Sequence, residues 1–146
     1  MATVIRTTDF ESDTRYEPPL RIGFGIDSST VENPPAAMGK TVIAPGAKNQ
    51  SHRHEASDAC IHIISGRLRF LFGEPGTDRS DEIAEAGDFV HIPCGEAHGV
   101  ENVSNSEPVH LVFCYPGVPD KEAARTSMLE SESVIRDPSG EVQHGR

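Results

Sequence analysis

The chain has 146 residues, 36% hydrophobic and 25% charged, with a formal net charge of -10 at pH 7 and a pI near 5.0. That size suits one domain with a real core, and the acidic surplus disfavours phosphate backbones and anionic lipid surfaces, so neither nucleic acid nor membrane is an expected partner. No apolar run near Met1 reads as a signal peptide or reaches spanning length, and three cysteines without CxxC spacing (Cys60, Cys94, Cys114) fit a reduced cytoplasm.

The first recognisable element is TRYEPPLRIGFGI (14–26), an edge strand interrupted by prolines. Edge strands invite pairing with another chain, so a symmetric homodimer is expected. Short apolar runs follow at TVIAP (41–45), CIHII (60–64), RLRFLF (67–72), FVHIP (89–93) and VHLVFCY (109–115). They are separated by turn clusters such as PGAKN (45–49), EPGTDRSD (74–81), PCGE (93–96) and NSEP (105–108). Short strands at this spacing predict an all-β sandwich or barrel, not βαβ units. Good helix formers at 120–135 predict one short C-terminal helix, followed by a loose tail. The expected division is a barrel over 1–116, including the edge strand, and a helix and tail over 117–146.

Two histidines, His52 and His54, stand one residue apart. Residues i and i+2 of a strand share a face, so the two imidazoles project together, a plausible clamp for a transition metal. Counting outward gives Gly46, five residues, His52-Arg53-His54, and then Gly66 twelve positions after His54. A second block reads Gly87, five residues, Pro93-Cys94-Gly95, two residues, His98, three residues, Asn102. Gly46 and Gly66 suit turns that need positive φ. Pro93 and Gly95 end a strand and turn the chain so that His98 faces back inward. Asn102 is expected to make backbone hydrogen bonds at a strand end.

Together the blocks resemble the two motifs of the cupin superfamily, which are small jelly-roll barrels. The second motif, G-x5-P-x-G-x2-H-x3-N, matches at every fixed position; the first, G-x5-H-x-H-x3,4-E-x6-G, matches except at the glutamate. The resemblance covers roughly residues 36–116. It implies that His52, His54 and His98 hold one divalent transition ion per chain and are the catalytic centre, with iron the first expectation and zinc, manganese or nickel the alternatives.

The family's acid falls on Ala59 when counted back from Gly66, or on Asp58 when counted forward from His54. A one-residue slip in the strand leading to Gly66 would turn its buried face outward, so the count from Gly66 is preferred. Asp58 stays open as a fourth ligand, reached through a bulge. Three neutral imidazoles leave the ion at full +2 charge with open positions, which favours an anionic, chelating substrate. The resulting expectation is a three-histidine iron dioxygenase acting on a small anionic or enolisable organic molecule. A non-redox zinc, manganese or nickel isomerase or lyase, and a non-catalytic small-ligand binder, are the alternatives, because one fold hosts many functions.

Among the remaining residues, His91 is the expected substrate contact, and Arg69 would reach an anionic substrate from the barrel wall, against a solvated outer face as the plainer reading. His62 and His110 are expected to be ordinary hydrogen-bonded histidines, and His144 a solvated tail residue. Cys94, in the Pro-x-Gly turn, reads as a small turn residue and less readily as a reactive thiol. Phe70, Phe72, Phe89 and Phe113 are assigned to alternating core positions.

Overall fold

The computed structural model describes residues 1–129, 134–136 and 142–144. Two antiparallel sheets face each other. The larger contains β1 (Ser12–Asp13), β2 (Arg21–Ile26), β3 (Ala36–Ile43), β5 (Ala59–Ser65), β8 (Phe89–Ile92) and β10 (Val109–Pro116), in the order β1-β2-β3-β10-β5-β8. The smaller contains β4 (His52–His54), β6 (Arg67–Phe72), β7 (Ser80–Glu85), β9 (His98–Asn102) and β11 (Thr126–Met128), in the order β11-β4-β9-β6-β7. A hairpin of β12 (Val134–Arg136) and β13 (Val142–His144) forms a separate two-stranded sheet. This is the jelly-roll arrangement expected, with strands changing sheet along the chain.

Alternation explains why each strand lies where it does. In β10, Val109, Leu111, Phe113 and Tyr115 are buried while the residues between them are partly or fully exposed. Each large apolar side chain fully buried this way stabilises the fold by about 1.5–3 kcal/mol, which draws β10 to the middle of its sheet, between β3 and β5. From the opposite sheet, Leu68 and Phe70 of β6 close the core. The β5–β6 turn runs through Gly66 at φ +89°, where a Cβ would lie 2.7 Å from the Pro108 carbonyl oxygen. Gly46 likewise adopts φ +73°. Both are turns that a side chain would strain.

Three local expectations change. The helix expected over 120–135 is four residues, α1 (Lys121–Ala124), N-capped by Asp120, whose carboxylate accepts from the Ala123 amide at 2.8 Å. Arg125 then turns left-handed at φ 58°, and Thr126–Met128 pairs with His54–His52 as β11. The exposed edge of β4 captures a segment whose local propensity is helical. Residues 130–133 of that stretch, and most of the tail, lie outside the described residues. Strand β7 was not expected, since SDEIAE has no apolar alternation and buries only Ala84. Phe89 is not a core residue but 80% exposed, because the phase of β8 turns Ile92 inward and its neighbours outward.

Candidate metal centre

The histidine cluster is a product of strand register. His52 and His54 share the inner face of β4, and His98 of β9 is the direct cross-strand partner of His52. The ring centroids lie 4.9 Å (His52–His54), 4.4 Å (His52–His98) and 5.2 Å (His54–His98) apart. All three residues are 5% exposed or less.

Each ring is fixed from behind. Nδ1–H of His52 donates to the Gln50 carbonyl at 2.9 Å, and Nδ1–H of His98 donates to the Glu96 carbonyl at 2.9 Å. Nδ1 of His54 lies 2.8 Å from the hydroxyl of Thr126, the residue opposite it on β11. Such partners set the tautomer and leave Nε2 with its lone pair free for a cation. The Nε2 atom of His52 is buried with no hydrogen-bond partner. That of His54 has the Tyr115 hydroxyl at 3.4 Å.

Electrostatics keep the cluster ready for a cation. Burial, with the neighbouring rings of His52 and His98, pushes the pKa of His54 down to about 2. Burial and His52 push that of His98 down to about 3, against the opposing effect of the Glu96 carbonyl. Both are therefore neutral at ordinary pH, the form that ligates. One nitrogen from each of the three rings lies within 4.8 Å of the others. Bonds of about 2.1 Å bridge nitrogens up to about 4.2 Å apart on one ion, so a small ring adjustment suffices. The orphaned Nε2, the neutral rings and the outward Nδ1 anchors all fit a divalent transition ion.

The acid slot is empty of carboxylate on its own strand. Ala59 opens β5, is buried, and lines the same cavity as His54 and His98. Asp58, one residue earlier, turns away: its carboxylate faces His91 Nε2 at 2.9 Å and accepts from the Cys94 amide at 2.9 Å. The His91 hydrogen bond chiefly, with the Cys94 amide, lowers the pKa of Asp58. His91 itself is exposed on the outer face of β8. Arg69 is likewise not brought to the cluster: it lies on the opposite face of β6 from the buried Leu68 and Phe70 and pairs with Asp81 at 2.5 Å and Glu101 at 3.2 Å. His62 lies outward against exposed Phe89, with ring centroids 4.3 Å apart, and His110 is exposed. Cys94 is exposed, its thiol donating to the Glu55 carbonyl at 3.3 Å. Asn102 is buried; its amide donates to the Ile43, Ala44 and Glu107 carbonyls at 3.1, 3.2 and 2.8 Å, pinning the end of β9.

Sequence reasoning missed two side chains at the cavity, Glu17 and Tyr115, and a third, Tyr16, that bonds to one of them. Glu17, from the turn between β1 and β2, is 8% exposed with Oε1 3.4 Å from His52 Nε2. Tyr115 reaches across from the larger sheet, and burial, with Glu17 next, raises its pKa well above the usual phenol value. Tyr16 meets Tyr115 hydroxyl to hydroxyl at 3.2 Å and Thr126 at 2.6 Å; burial and Glu17 push its pKa up to about 12. The signal for Glu17 was an acid immediately before Pro18-Pro19-Leu20, where the chain is held extended and then turned. The turn closes with the Leu20 amide donating to the Glu17 carbonyl at 2.9 Å. The cavity has a volume of about 50 Å³, and apolar residues such as Ile22, Ile61 and Phe113 make up most of its remaining wall.

The family described as Cupin domain matches residues 39–115. A germin-like protein 3-7 from Oryza sativa subsp. japonica is 24% identical over 101 residues, covering 69% of this chain and 43% of that protein. An uncharacterized protein of Methanocaldococcus jannaschii is 27% identical over 81 residues, covering 55% of this chain and 60% of that one. The chain thus spans less than two thirds of both relatives. Among solved structures, the formate complex of Lactobacillus farciminis oxalate decarboxylase superposes with a TM-score of 0.66 at 18% identity, covering 79% of this chain and 33% of that one. Bacillus subtilis oxalate decarboxylase, which has Mn(II) centres, gives 0.63 at 21%, covering 75% and 28%. The polyketide cyclase RemF from Streptomyces resistomycificus gives 0.64 at 17%, covering 80% of each chain. At these identities the structural likeness speaks to the fold.

Proposed function

The chain belongs to the cupin family, and from that premise we propose that it is a metal-dependent enzyme holding one divalent transition ion between His52, His54 and His98. The finer reading is an iron dioxygenase of a small anionic or enolisable organic substrate. The carrying observation is the unpartnered, buried Nε2 of His52 beside two imidazoles held neutral. A bound divalent ion supplies Lewis-acid or redox chemistry toward a chelating substrate.

The protein's own residues set what can enter. A cavity of about 50 Å³ has room for about four water-sized groups at about 10–15 Å³ each. It admits the reacting end of a small molecule and little more. Its walls are largely apolar, and the Tyr115 hydroxyl, 3.4 Å from His54 Nε2, is placed to hydrogen-bond a substrate oxygen. Manganese, the metal of the Bacillus subtilis neighbour, supports the non-redox isomerase or lyase reading as the second choice, with zinc and nickel beside it. A non-catalytic ligand-binding role is third, since that role needs no cluster of unprotonated imidazoles. A cytoplasmic location and a homodimer are part of the proposal. The edge strand expected within 14–26 is β2, which lies between β3 and the two-residue β1; the dimer reading is supported by β1 covering only Ile22 and Gly23 of that edge, and is checked by light scattering at micromolar concentration.

The test is anaerobic reconstitution with iron(II), manganese, zinc and nickel, followed by elemental analysis and oxygen uptake with a panel of small keto and hydroxy acids. About one ion per chain, with substrate-dependent oxygen uptake by the iron form, is the expected result. Metal binding with no oxygen uptake but turnover by the manganese or zinc form would move the assignment to the non-redox class. No metal bound under any condition would end the metalloenzyme reading.

A further inference from the structure

We infer that Glu17 supplies the carboxylate that position 59 lacks, acting as a fourth protein ligand to the ion held by His52, His54 and His98; this rests on the metal reading above. Three features of the cavity converge on it. Ala59 presents only a methyl group to the space shared with His54 and His98, so no acid reaches the site from β5. Glu17 lines the same cavity, and its Oε1 stands 3.4 Å from His52 Nε2, a buried nitrogen of the cluster that has no hydrogen-bond partner. The carboxylate is also aimed. The Asn49 amide donates to Oε1 at 3.0 Å, while its own oxygen accepts from the Val100 amide of β9 at 2.9 Å. Asn49 thereby locks Glu17 to the strand that carries His98.

The surroundings of Glu17 explain why such an acid is kept. A buried carboxylate is expensive unless a cation compensates it. Its neighbours are an amide, imidazoles and the Tyr115 phenol. A divalent ion in the cluster is the missing cation. The ligand set becomes three imidazoles and one carboxylate, contributed by the turn before β2 in place of β5. The ion then retains one positive charge, not two, so the site selects a monoanion, a single carboxylate or enolate, over a dianion.

Cobalt(II), followed by its visible absorption, is a suitable probe because affinity and coordination are read together. Glu17→Gln keeps the oxygen that Asn49 contacts and should weaken cobalt(II) binding at least about tenfold. It should also strengthen azide binding to the bound cobalt, since a position and a positive charge are freed. Adding Ala59→Glu should make the two positions non-additive: on that background Glu17→Gln should weaken binding less than about threefold, because the acid is already supplied. The unfolding midpoint of metal-free Glu17→Gln, measured alongside, reports whether the variant folds; if it does not, Glu17→Asp, which keeps the charge but withdraws the carboxylate by one methylene, carries the test through the same cobalt affinity and azide readouts. Cobalt affinity and azide binding unchanged in Glu17→Gln, with binding lost in His52→Ala, would overturn the inference while leaving the metal reading intact. Additive losses in the double variant would overturn it too. No cobalt bound by the wild-type protein would remove both.

Discussion

The inner face of β4 and β9 and the outer face of β5 and β8 carry similar residues and treat them oppositely. Inside, His52, His54 and His98 are buried and anchored through Nδ1, with burial pushing the pKa values of His54 and His98 far down. Outside, His91 meets Asp58 in open solvent, and the pairing lowers the pKa of the acid instead. Phase along the strand decides this, not residue type. One face gathers imidazole nitrogens in a buried cavity, and the other sets His91 against Asp58 at the surface, where such a contact contributes little.

The sharpest way to break this contrast is to remove one imidazole from each face. Replacing His52, His54 or His98 by Ala should abolish stoichiometric metal binding, a loss of well over 100-fold. His91→Ala should leave affinity within about twofold, both read by metal titration. If His91→Ala weakened binding as much as His54→Ala, the division between faces would collapse.

Acid stability comes next in size. The folded pKa values of His54 and His98, about 2 and about 3, lie below the unfolded value of about 6.5. Between those limits the unfolded chain binds protons that the folded chain refuses, so stability is full above pH 6.5 and falls as pH drops. Each group costs about 1.4 kcal/mol per pH unit well below 6.5, so the pair costs about 3 kcal/mol per unit. Urea unfolding of chelator-treated protein at pH 7 and pH 5 measures it. The same series in His54→Phe should show a shallower slope.

A smaller effect is expected at Thr126. Thr126→Val removes the hydroxyl behind His54 Nδ1 while keeping the shape, and should weaken metal affinity about 10–100-fold, the range for partners behind a ligand. Smallest of all, Asp58→Ala should leave metal affinity within about twofold, since its carboxylate faces His91 and Cys94. A marked loss there would restore Asp58 as a ligand.

Much of this was legible in the sequence because buried strands announce themselves. RLRFLF alternates and is β6 residue for residue, and the HRH spacing states outright that two imidazoles share a face. What was illegible depends on distant partners. SDEIAE forms β7 only because β6 offers it a full ladder of six residue pairs. TSM abandons its helix because the edge of β4 is open to it. Phe89 begins its strand, where alternation is too short to fix phase. Glu17 belongs to no spaced motif at all: it reaches His52 through the fold of a turn, and no count along the chain connects the two.

The strand that carries Thr126 has a kinetic meaning as well. β11 is held to β4 by three residue pairs and flanked by three further backbone bonds, from the Glu55 and Ala56 amides to the Arg125 and Ala124 carbonyls and from the Leu129 amide to the Ser51 carbonyl. So short an edge strand opens locally far more often than the barrel unfolds. Each opening withdraws the hydroxyl that steadies His54 and uncovers that flank of the cluster. An ion bound there favours the closed state by mass action, so loading the centre should slow amide exchange at Ser127 and its neighbours, and the rate at which the ion escapes should follow the breathing of this one strand.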